Sequence, residues 1–186
     1  MTHKKIKLTA VNHIKKHQKK PIMTNATLHH TIESVLADKV QHIEETRDKM
    51  LCVTVAREDL FGFMQTLRDA HGFGFLTDVC GIHYNEVQPE LLGTVYHLHN
   101  LVENVRLRVK TTMPKDDPKV ASMVPLWNSA NWQERETYDF YGIEFQGHPD
   151  LRRILNVDEM DFFPLRKEYP LEEQTRTDKH DYMFGR

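Results

Sequence analysis

The alternation of apolar and polar side chains between residues 75 and 112 constrains the fold more than any other feature of this chain. Three stretches with a period of two predict β-strands at residues 76–84, 91–101 and 104–112. In the last of them Val105 and Leu107 alternate with Arg106. Only short links separate the three stretches, and short links favour antiparallel pairing because a parallel return needs about a dozen residues.

Two helices and two further strands precede these three strands. Apolar residues at helical spacing predict a first helix around residues 28–36 and a second, clearer helix over residues 60–72. Residues 40–45 and 50–56 are typical of strands. The order α-β-β-α-β-β-β predicts an α+β fold, a mixed, mainly antiparallel sheet with the helices on one face. We expect this domain to cover residues 23–112.

A short helix is predicted in the next segment, residues 113–155. Asn131 followed by Glu134 forms a capping-box pattern, and Gly142 can supply a left-handed stop. The helix should therefore run from about residue 132 to residue 141.

Charged and aromatic side chains crowd this helix. Arg135 and Asp139 have the i,i+4 spacing of an ion pair, with Trp132 and Glu136 beside them. In one interpretation the charges form solvated surface pairs. In the other, a partner protein covers them as a paired, desolvated network in which every member needs a partner.

The two ends of the chain show no core pattern. Residues 156–186 carry isolated aromatics among charges, which predicts an extended tail that orders only on a partner. Residues 1–22 are rich in lysine, and we expect this leader to be disordered and dispensable. Alternatives for the leader are a polybasic patch for anionic lipid or nucleic acid, or translation that starts at Met23.

Composition excludes several classes of protein. A net charge of −2 argues against a generally basic nucleic-acid binder. No apolar run approaches the ~20 residues that cross a bilayer. Cys52 and Cys80 are the two cysteines and form no Cys-x-x-Cys motif, which argues against an iron–sulfur or structural zinc site.

A few groups of residues could in principle bind a metal, catalyse a reaction or bind a dinucleotide, but none forms a complete motif. His97 and His99 share a strand face and are two possible metal ligands without an identifiable third. The acidic residues of the short helix are possible acid–base groups, although Arg135 and capping account for them. Gly72 and Gly74 lack the rest of a dinucleotide fingerprint. We therefore expect no self-contained active site.

Three runs together resemble a known family. They are Asn131-Trp-Gln-Glu-Arg-Glu-Thr-Tyr-Asp-Phe-Tyr-Gly-Ile, His148-Pro-Asp-Leu-Arg-Arg-Ile-Leu155 and Pro164-Leu-Arg-Lys-Glu-Tyr-Pro-Leu171. They resemble the C subunit of NADH:quinone oxidoreductase, which is the 30 kDa subunit family of respiratory complex I. The specific match covers about residues 118–171, and the chain looks like the bacterial form that is not fused to the D subunit.

The resemblance implies a structural and assembly subunit of the peripheral arm, with no catalytic residue, cofactor or metal of its own. FMN and iron–sulfur clusters would lie on other subunits, while the complex passes electrons from NADH to quinone. The D subunit would be the main partner, with the B and I subunits nearby, on the cytoplasmic side of the bacterial inner membrane.

A contact surface for the D subunit is expected on the motif residues. These are Trp132, Glu134, Arg135, Glu136, Tyr138, Asp139, His148, Pro149, Asp150, Arg152, Arg153, Arg166, Lys167 and Tyr169. The first alternative is a homologous subunit of a membrane-bound hydrogenase or of a ferredoxin- or F420-linked dehydrogenase. The others are a free-standing enzyme using Glu136 and His148, and a nucleic-acid module using Arg106, Arg108 and Lys110.

Overall fold

A computed structural model of the chain describes residues 23–169, and the predicted leader and residues 170–186 lie outside this part. The helices are α1 (Asn25–Val35), α2 (Leu60–His71) and α3 (Ala130–Tyr141), with a 3-10 turn at Ala37–Lys39. The strands are β1 (Val40–Glu45), β2 (Leu51–Val55), β3 (Phe75–Tyr84), β4 (Leu91–Asn100), β5 (Val105–Pro114), β6 (Lys119–Ala121) and β7 (Glu144–Gln146). The predicted order of helices and strands up to β5 is confirmed.

A five-stranded sheet with the order β1-β2-β5-β4-β3 forms the centre of the fold. Its neighbours pair antiparallel except β2 and β5, which are parallel. The parallel pair arises because α2, β3 and β4 all intervene between these two strands, which gives the chain enough length to return in the same direction. The predicted mixed, mainly antiparallel sheet is confirmed.

The core lies between one face of the sheet and helices α1 and α2. In α2 the buried residues Leu60, Phe63, Met64 and Leu67 repeat at i, i+3, i+4 and i+7, as predicted, and Gly72 ends the helix at φ +73°. The same core cluster extends into the segment after β5, where a small parallel pair of β6 and β7 was not predicted.

The opposite face of the sheet is polar and carries a chain of paired side chains. Arg108 Nε donates to His97 Nε2 at 2.9 Å and Arg108 Nη2 to Asp48 at 3.0 Å, while His97 Nδ1 lies 3.5 Å from Asp78. Burial, followed by the nearby Arg108 charge, lowers the pKa of His97. His97 is thus held by neighbours in its own sheet, and nothing in residues 23–169 supplies a third ligand beside His99 for a metal.

Two further features of the structure concern thiols and membranes. Cys52 is buried and Cys80 partly buried, and both are free thiols. Burial raises the pKa of each thiol, that of Cys80 to about 11. Within residues 23–169 no helix combines the length and apolar character needed to span a bilayer.

Candidate functional site

Helix α3 lies along β3, which is one of the two edge strands of the sheet. Side chains at i+4 spacing on α3 donate to carbonyl groups of β3: Ser129 to Leu76 at 3.2 Å, Gln133 to Thr77 at 3.2 Å and Thr137 to Val79 at 3.3 Å. An uncovered edge strand leaves such carbonyl groups unpaired. The helix therefore closes this edge and presents its remaining faces to the rest of the chain and to solvent.

The close approach of α3 to β3 depends on Gly81. A Cβ atom at this position would lie 2.4 Å from the ring of Tyr141, whereas a Cβ atom at Gly74 would meet nothing within 4 Å. We expect Gly81→Val to lower the free energy of unfolding by about 1–3 kcal/mol, because the helix must shift away from the strand. Urea denaturation measures this loss. An equal loss for Gly74→Val would contradict the close-approach argument.

The beginning of α3 differs from the prediction. The helix starts at Ala130 after Ser129, and Asn131 is inside the helix rather than at its cap. The capping-box interpretation of Asn131 and Glu134 is therefore wrong. Glu134 reaches inward because the connector before α3 offers two donors that the sequence does not reveal.

Glu134 is fully buried and joins α3 to the connector. Its carboxylate accepts hydrogen bonds from Ser122 Oγ at 2.7 Å and from the backbone N–H of Met123 at 2.6 Å. Both donors are neutral. Burial raises the pKa of Glu134 from 4.5 to about 7, against the opposing effect of these two hydrogen bonds. Glu134 is therefore a buried group that can titrate near pH 7.

Asp139 is the second buried carboxylate of α3, and it holds the segment that returns over the helix. Oδ2 accepts the backbone N–H groups of Ile154, Leu155 and Asn156 at 2.8–3.1 Å, while Oδ1 accepts from Arg153 Nη1 at 2.7 Å. Burial alone would raise the pKa of Asp139. The backbone donors and Arg153 outweigh it and hold the pKa far below its ordinary value.

Arg153 continues this network into the next turn of the chain. It also donates to the carbonyl groups of Met160 at 2.6 Å and Phe162 at 3.1 Å. Its guanidinium lies 5.2 Å from the centre of the Phe163 ring, and the guanidinium of Arg166 lies 4.6 Å from the same ring. Arg153 thus contacts Met160, Phe162 and Phe163 while it is bound to Asp139 of α3.

The predicted Arg135–Asp139 ion pair is wrong. Arg135 donates to the carbonyl groups of Arg152 at 3.2 Å and Arg153 at 3.1 Å, and lies over the ring of Trp132. Asp139 pairs with Arg153 instead. These charges are desolvated by the chain's own residues 148–169, a segment we call the strap, so their burial does not require a partner protein.

The strap begins at His148, whose ring bridges two backbone groups. One ring nitrogen lies 3.1 Å from the carbonyl oxygen of Asn131, and the other accepts the N–H of Asp150 at 3.0 Å. Both nitrogens are engaged in this turn, and Glu136 is not among their partners. Within residues 23–169, His148 and Glu136 are therefore not paired as an acid and a base.

The far end of the strap is fastened at two more points. Arg166 Nε donates to the carbonyl group of Tyr141 at 2.7 Å, and the N–H of Lys167 donates to His83 Nδ1 at 2.9 Å. The ring of Tyr169 lies 4.9 Å from that of Phe162. Residues 156–169 thus contact the rest of the chain. That the tail orders on a partner stays a prediction, and residues 170–186 lie outside the described part.

His83 was missed by sequence reasoning because it lies 84 positions from Lys167 and in no motif. Together with Glu90 and Glu168 it forms a cluster with the geometry of a possible cation site. The ammonium group of Lys115 already bridges both carboxylates and lies 2.7 Å from Glu90. The Lys115 ammonium group thus supplies the positive charge that a metal ion would bring to the carboxylates of Glu90 and Glu168.

The fourteen predicted contact residues fall into three groups. Glu134, Arg135 and Asp139 are buried. The exposed residues are Trp132, Glu136, Pro149, Asp150, Arg152, Lys167 and Tyr169, and the half-buried ones are Tyr138, His148, Arg153 and Arg166. The buried group acts within the chain, where Glu134 binds the connector and Arg135 and Asp139 bind the strap. Contact of the others with a partner stays a prediction.

Large apolar side chains remain outside on this side of the molecule. Trp132 is 63% exposed, Leu155 65% and Val157 62%. Leu165 and Tyr169 on the strap are also exposed. Apolar groups of this size held at the surface by a buried polar network are typical of an interaction surface.

The fold is similar to that of a chain in a structure described as the membrane-bound sulfane sulfur reductase, an archaeal respiratory membrane complex. The two share a TM-score of 0.65 with 20% identity, over 84% of this chain and 97% of the other. At this identity the likeness shows the fold alone. The fold thus defines the class, that of an α+β domain built on a mixed five-stranded sheet.

The family follows from closer comparisons. Residues 53–175 match the family described as respiratory-chain NADH dehydrogenase, 30 Kd subunit. This chain belongs to that family. The resemblance seen in the three sequence runs is confirmed.

Individual relatives agree with this assignment. The NADH-quinone oxidoreductase C subunit of Leptothrix cholodnii is 41% identical over 78% of this chain and 76% of its own length. The corresponding protein of Geobacter sulfurreducens is 38% identical over 76% of this chain and 86% of its own length. A trypsin-resistant fragment of Nqo5 shares 36% identity and a TM-score of 0.60, over 67% of this chain and 98% of the fragment.

Proposed function

We propose that this chain is a non-catalytic structural and assembly subunit of NADH-quinone oxidoreductase, in the peripheral arm, where it docks on the D subunit. The complex would transfer electrons from NADH to quinone and translocate protons, with FMN and the iron–sulfur clusters on other subunits. The B and I subunits would be further neighbours, on the cytoplasmic side of the inner membrane. The family and the names of its relatives support this proposal.

One observation carries the proposal most directly. Glu134, Arg135 and Asp139 are each satisfied inside the chain. Glu134 holds the connector, and Arg135 and Asp139 hold the strap. Meanwhile Trp132 and Leu155 are held in solvent. Because rigid aromatic and aliphatic anchors lose little conformational freedom on binding, such an arrangement favours docking to another protein over catalysis.

Affinity purification of the tagged chain from membranes tests the proposal. We expect the D, B and I subunits among the proteins recovered, and flavin and iron–sulfur signals in the complex but not in the isolated chain. Recovery of the chain alone would contradict the docking role. Turnover by the purified monomer would contradict the non-catalytic role and favour the free-standing enzyme.

The alternative is a homologous subunit of a membrane-bound hydrogenase or of a ferredoxin- or F420-linked dehydrogenase. Its support is the fold likeness to a chain of an archaeal respiratory complex. The same purification distinguishes the two, because the electron-input proteins that accompany the chain differ. Recovery of a hydrogenase or ferredoxin-linked module in place of an NADH-oxidising one would favour the alternative.

A further inference from the structure

A cleft of about 160 Å³ opens between α3, the outer side of β3 and the strap. Glu136 and Phe140 of α3, Asp78 and Cys80 of β3 and Leu165 of the strap line it. Pockets that bind cofactors or metabolites have volumes of about 300–1,000 Å³. This cleft is therefore of a size for one protein side chain rather than for a small-molecule ligand.

Glu136 is the one charged residue of α3 that has no partner within residues 23–169. The other three, Glu134, Arg135 and Asp139, are engaged with the connector or the strap. Among residues 23–169 the Glu136 carboxylate has no ion-pair or hydrogen-bond partner, and its side chain is exposed. A carboxylate in the centre of an otherwise satisfied motif is available for a group from outside.

Asp78 adds a second negative charge on the opposite wall of the cleft. Its neighbour His97 lies 3.5 Å away, and burial followed by the Arg108 charge lowers the pKa of that imidazole, which favours its neutral form. Burial raises the pKa of the Cys80 thiol, the charges of Asp78 and Glu136 raise it further, and the charge of Arg108 lowers it. The charged residues that line the cleft, Asp78 and Glu136, are both acidic.

The rim around these charges is apolar. Phe140, four residues after Glu136 on α3, is half-buried and lines the cleft. Trp132, four residues before Glu136, is 63% exposed and lies one helical turn beyond the cleft lining. Leu165, 40% exposed, borders the cleft from the strap. A carboxylate pair bordered by aromatic and aliphatic groups is suited to the aliphatic stem and charged head of a long basic side chain.

We infer that this cleft receives an arginine or lysine side chain from a neighbouring subunit, with Glu136 and Asp78 as its ionic partners and Trp132, Phe140 and Leu165 as the surrounding apolar contact. The inference rests on the proposed docking function and names the chemistry of the partner at one point of the interface. It also gives Glu136 a role, because nothing within residues 23–169 accounts for a carboxylate at that position.

Charge reversal at Glu136 tests the inference. Glu136→Lys brings like charges together, so we expect recovery of neighbouring subunits with the tagged chain to fall by about tenfold or more, with a smaller fall for Glu136→Gln. Glu144→Lys is the matched control, because Glu144 is also an exposed glutamate but lies on β7, outside the cleft. Circular dichroism and the melting temperature of each purified chain verify that it is folded.

A photo-reactive phenylalanine analogue in place of Leu165 provides an independent measurement in the assembled complex. The cross-linked peptide is expected to come from another subunit and to contain an arginine or lysine close to the attachment site. A peptide without a basic residue, or Glu136→Lys recovery equal to that of Glu144→Lys, would overturn the inference. Failure of the unmodified chain to recover any subunit would instead overturn the proposed docking function.

Discussion

Replacing Asp139 with alanine is expected to lower the free energy of unfolding of the chain by about 3–5 kcal/mol, the range for breaking one partner of a buried ion pair. The substitution leaves the Arg153 guanidinium without its carboxylate. It also removes the acceptor of three consecutive backbone N–H groups in the strap. Unsatisfied buried donors add to the loss.

Urea denaturation of the full chain measures this effect, with Asp150→Ala as the control. Asp150 pairs with Arg152 at 3.0 Å, but both side chains are more than half exposed. Such a surface pair contributes only about 0–1 kcal/mol. Each substitution removes one carboxylate from one arginine. The contrast between the two aspartates therefore measures the combined effect of burial and of the three backbone hydrogen bonds that only Asp139 accepts.

Limited proteolysis adds a local measurement to the global one. Because Asp139 holds the backbone at Ile154–Asn156, cleavage in Asp139→Ala should appear first in the strap, before the sheet domain is cut. If Asp139→Ala loses no more stability than Asp150→Ala, or if its strap stays protected, the role of Asp139 as the anchor of the strap is wrong.

The second large effect concerns pH and Glu134. The pKa of this carboxyl is raised by burial to about 7 from 4.5. Between these two values the folded chain binds more protons than the unfolded chain, so stability falls as pH rises. The stabilisation is fully present below pH 4.5 and is lost as pH rises through 7, by a total on the order of 3 kcal/mol.

Glu134→Gln should remove this dependence. Glutamine keeps the shape of the side chain, can donate to Ser122 Oγ and can accept from the N–H of Met123, without a charge to bury. We expect the variant to resemble the unmodified chain in stability near pH 4 and to be more stable near pH 8. The difference in unfolding free energy between the two chains, measured by urea denaturation from pH 4 to pH 8, tests this expectation.

Taking a difference between two chains is necessary because other groups titrate in the same range. The lowered pKa of His97 works in the opposite direction, since the unfolded chain then binds the extra proton and stability rises with pH. The lowered pKa of Asp139 acts only at more acidic pH, where stability is lost as the carboxylate becomes protonated. A difference that stays constant over this range would contradict a titrating Glu134.

Predictions from the sequence were most accurate where a local repeat of apolar residues indicates a helix or a strand. The spacing of Leu60, Phe63, Met64 and Leu67 identified α2, and alternation identified β3 to β5. Gly142 was correctly identified as the left-handed end of α3, at φ +72°. In each case the side chains that form the pattern are close together along the chain. The pattern can therefore be recognised in the sequence.

The errors concern partners that are distant along the chain. Arg135 and Asp139 have ideal spacing for a pair, yet each finds a stronger set of partners in the strap, between 14 and 18 positions away. Glu134 has the spacing of a capping box, yet two donors of the connector satisfy it inside the core. A local i,i+4 pair contributes only a few tenths of a kcal/mol, so a buried network readily replaces it.

By itself, the sequence determined the order of helices and strands, the face of the sheet that becomes the core, and, through the motif around Glu134-Arg135-Glu136, the family. Only the tertiary structure decided which charges are buried and what satisfies them. The strap has no period of its own, because its order comes from hydrogen bonds to Asp139, Tyr141 and His83 rather than from a repeating apolar face. Such bonds depend on the position of a single donor or acceptor in space, and no spacing rule along the chain encodes that position.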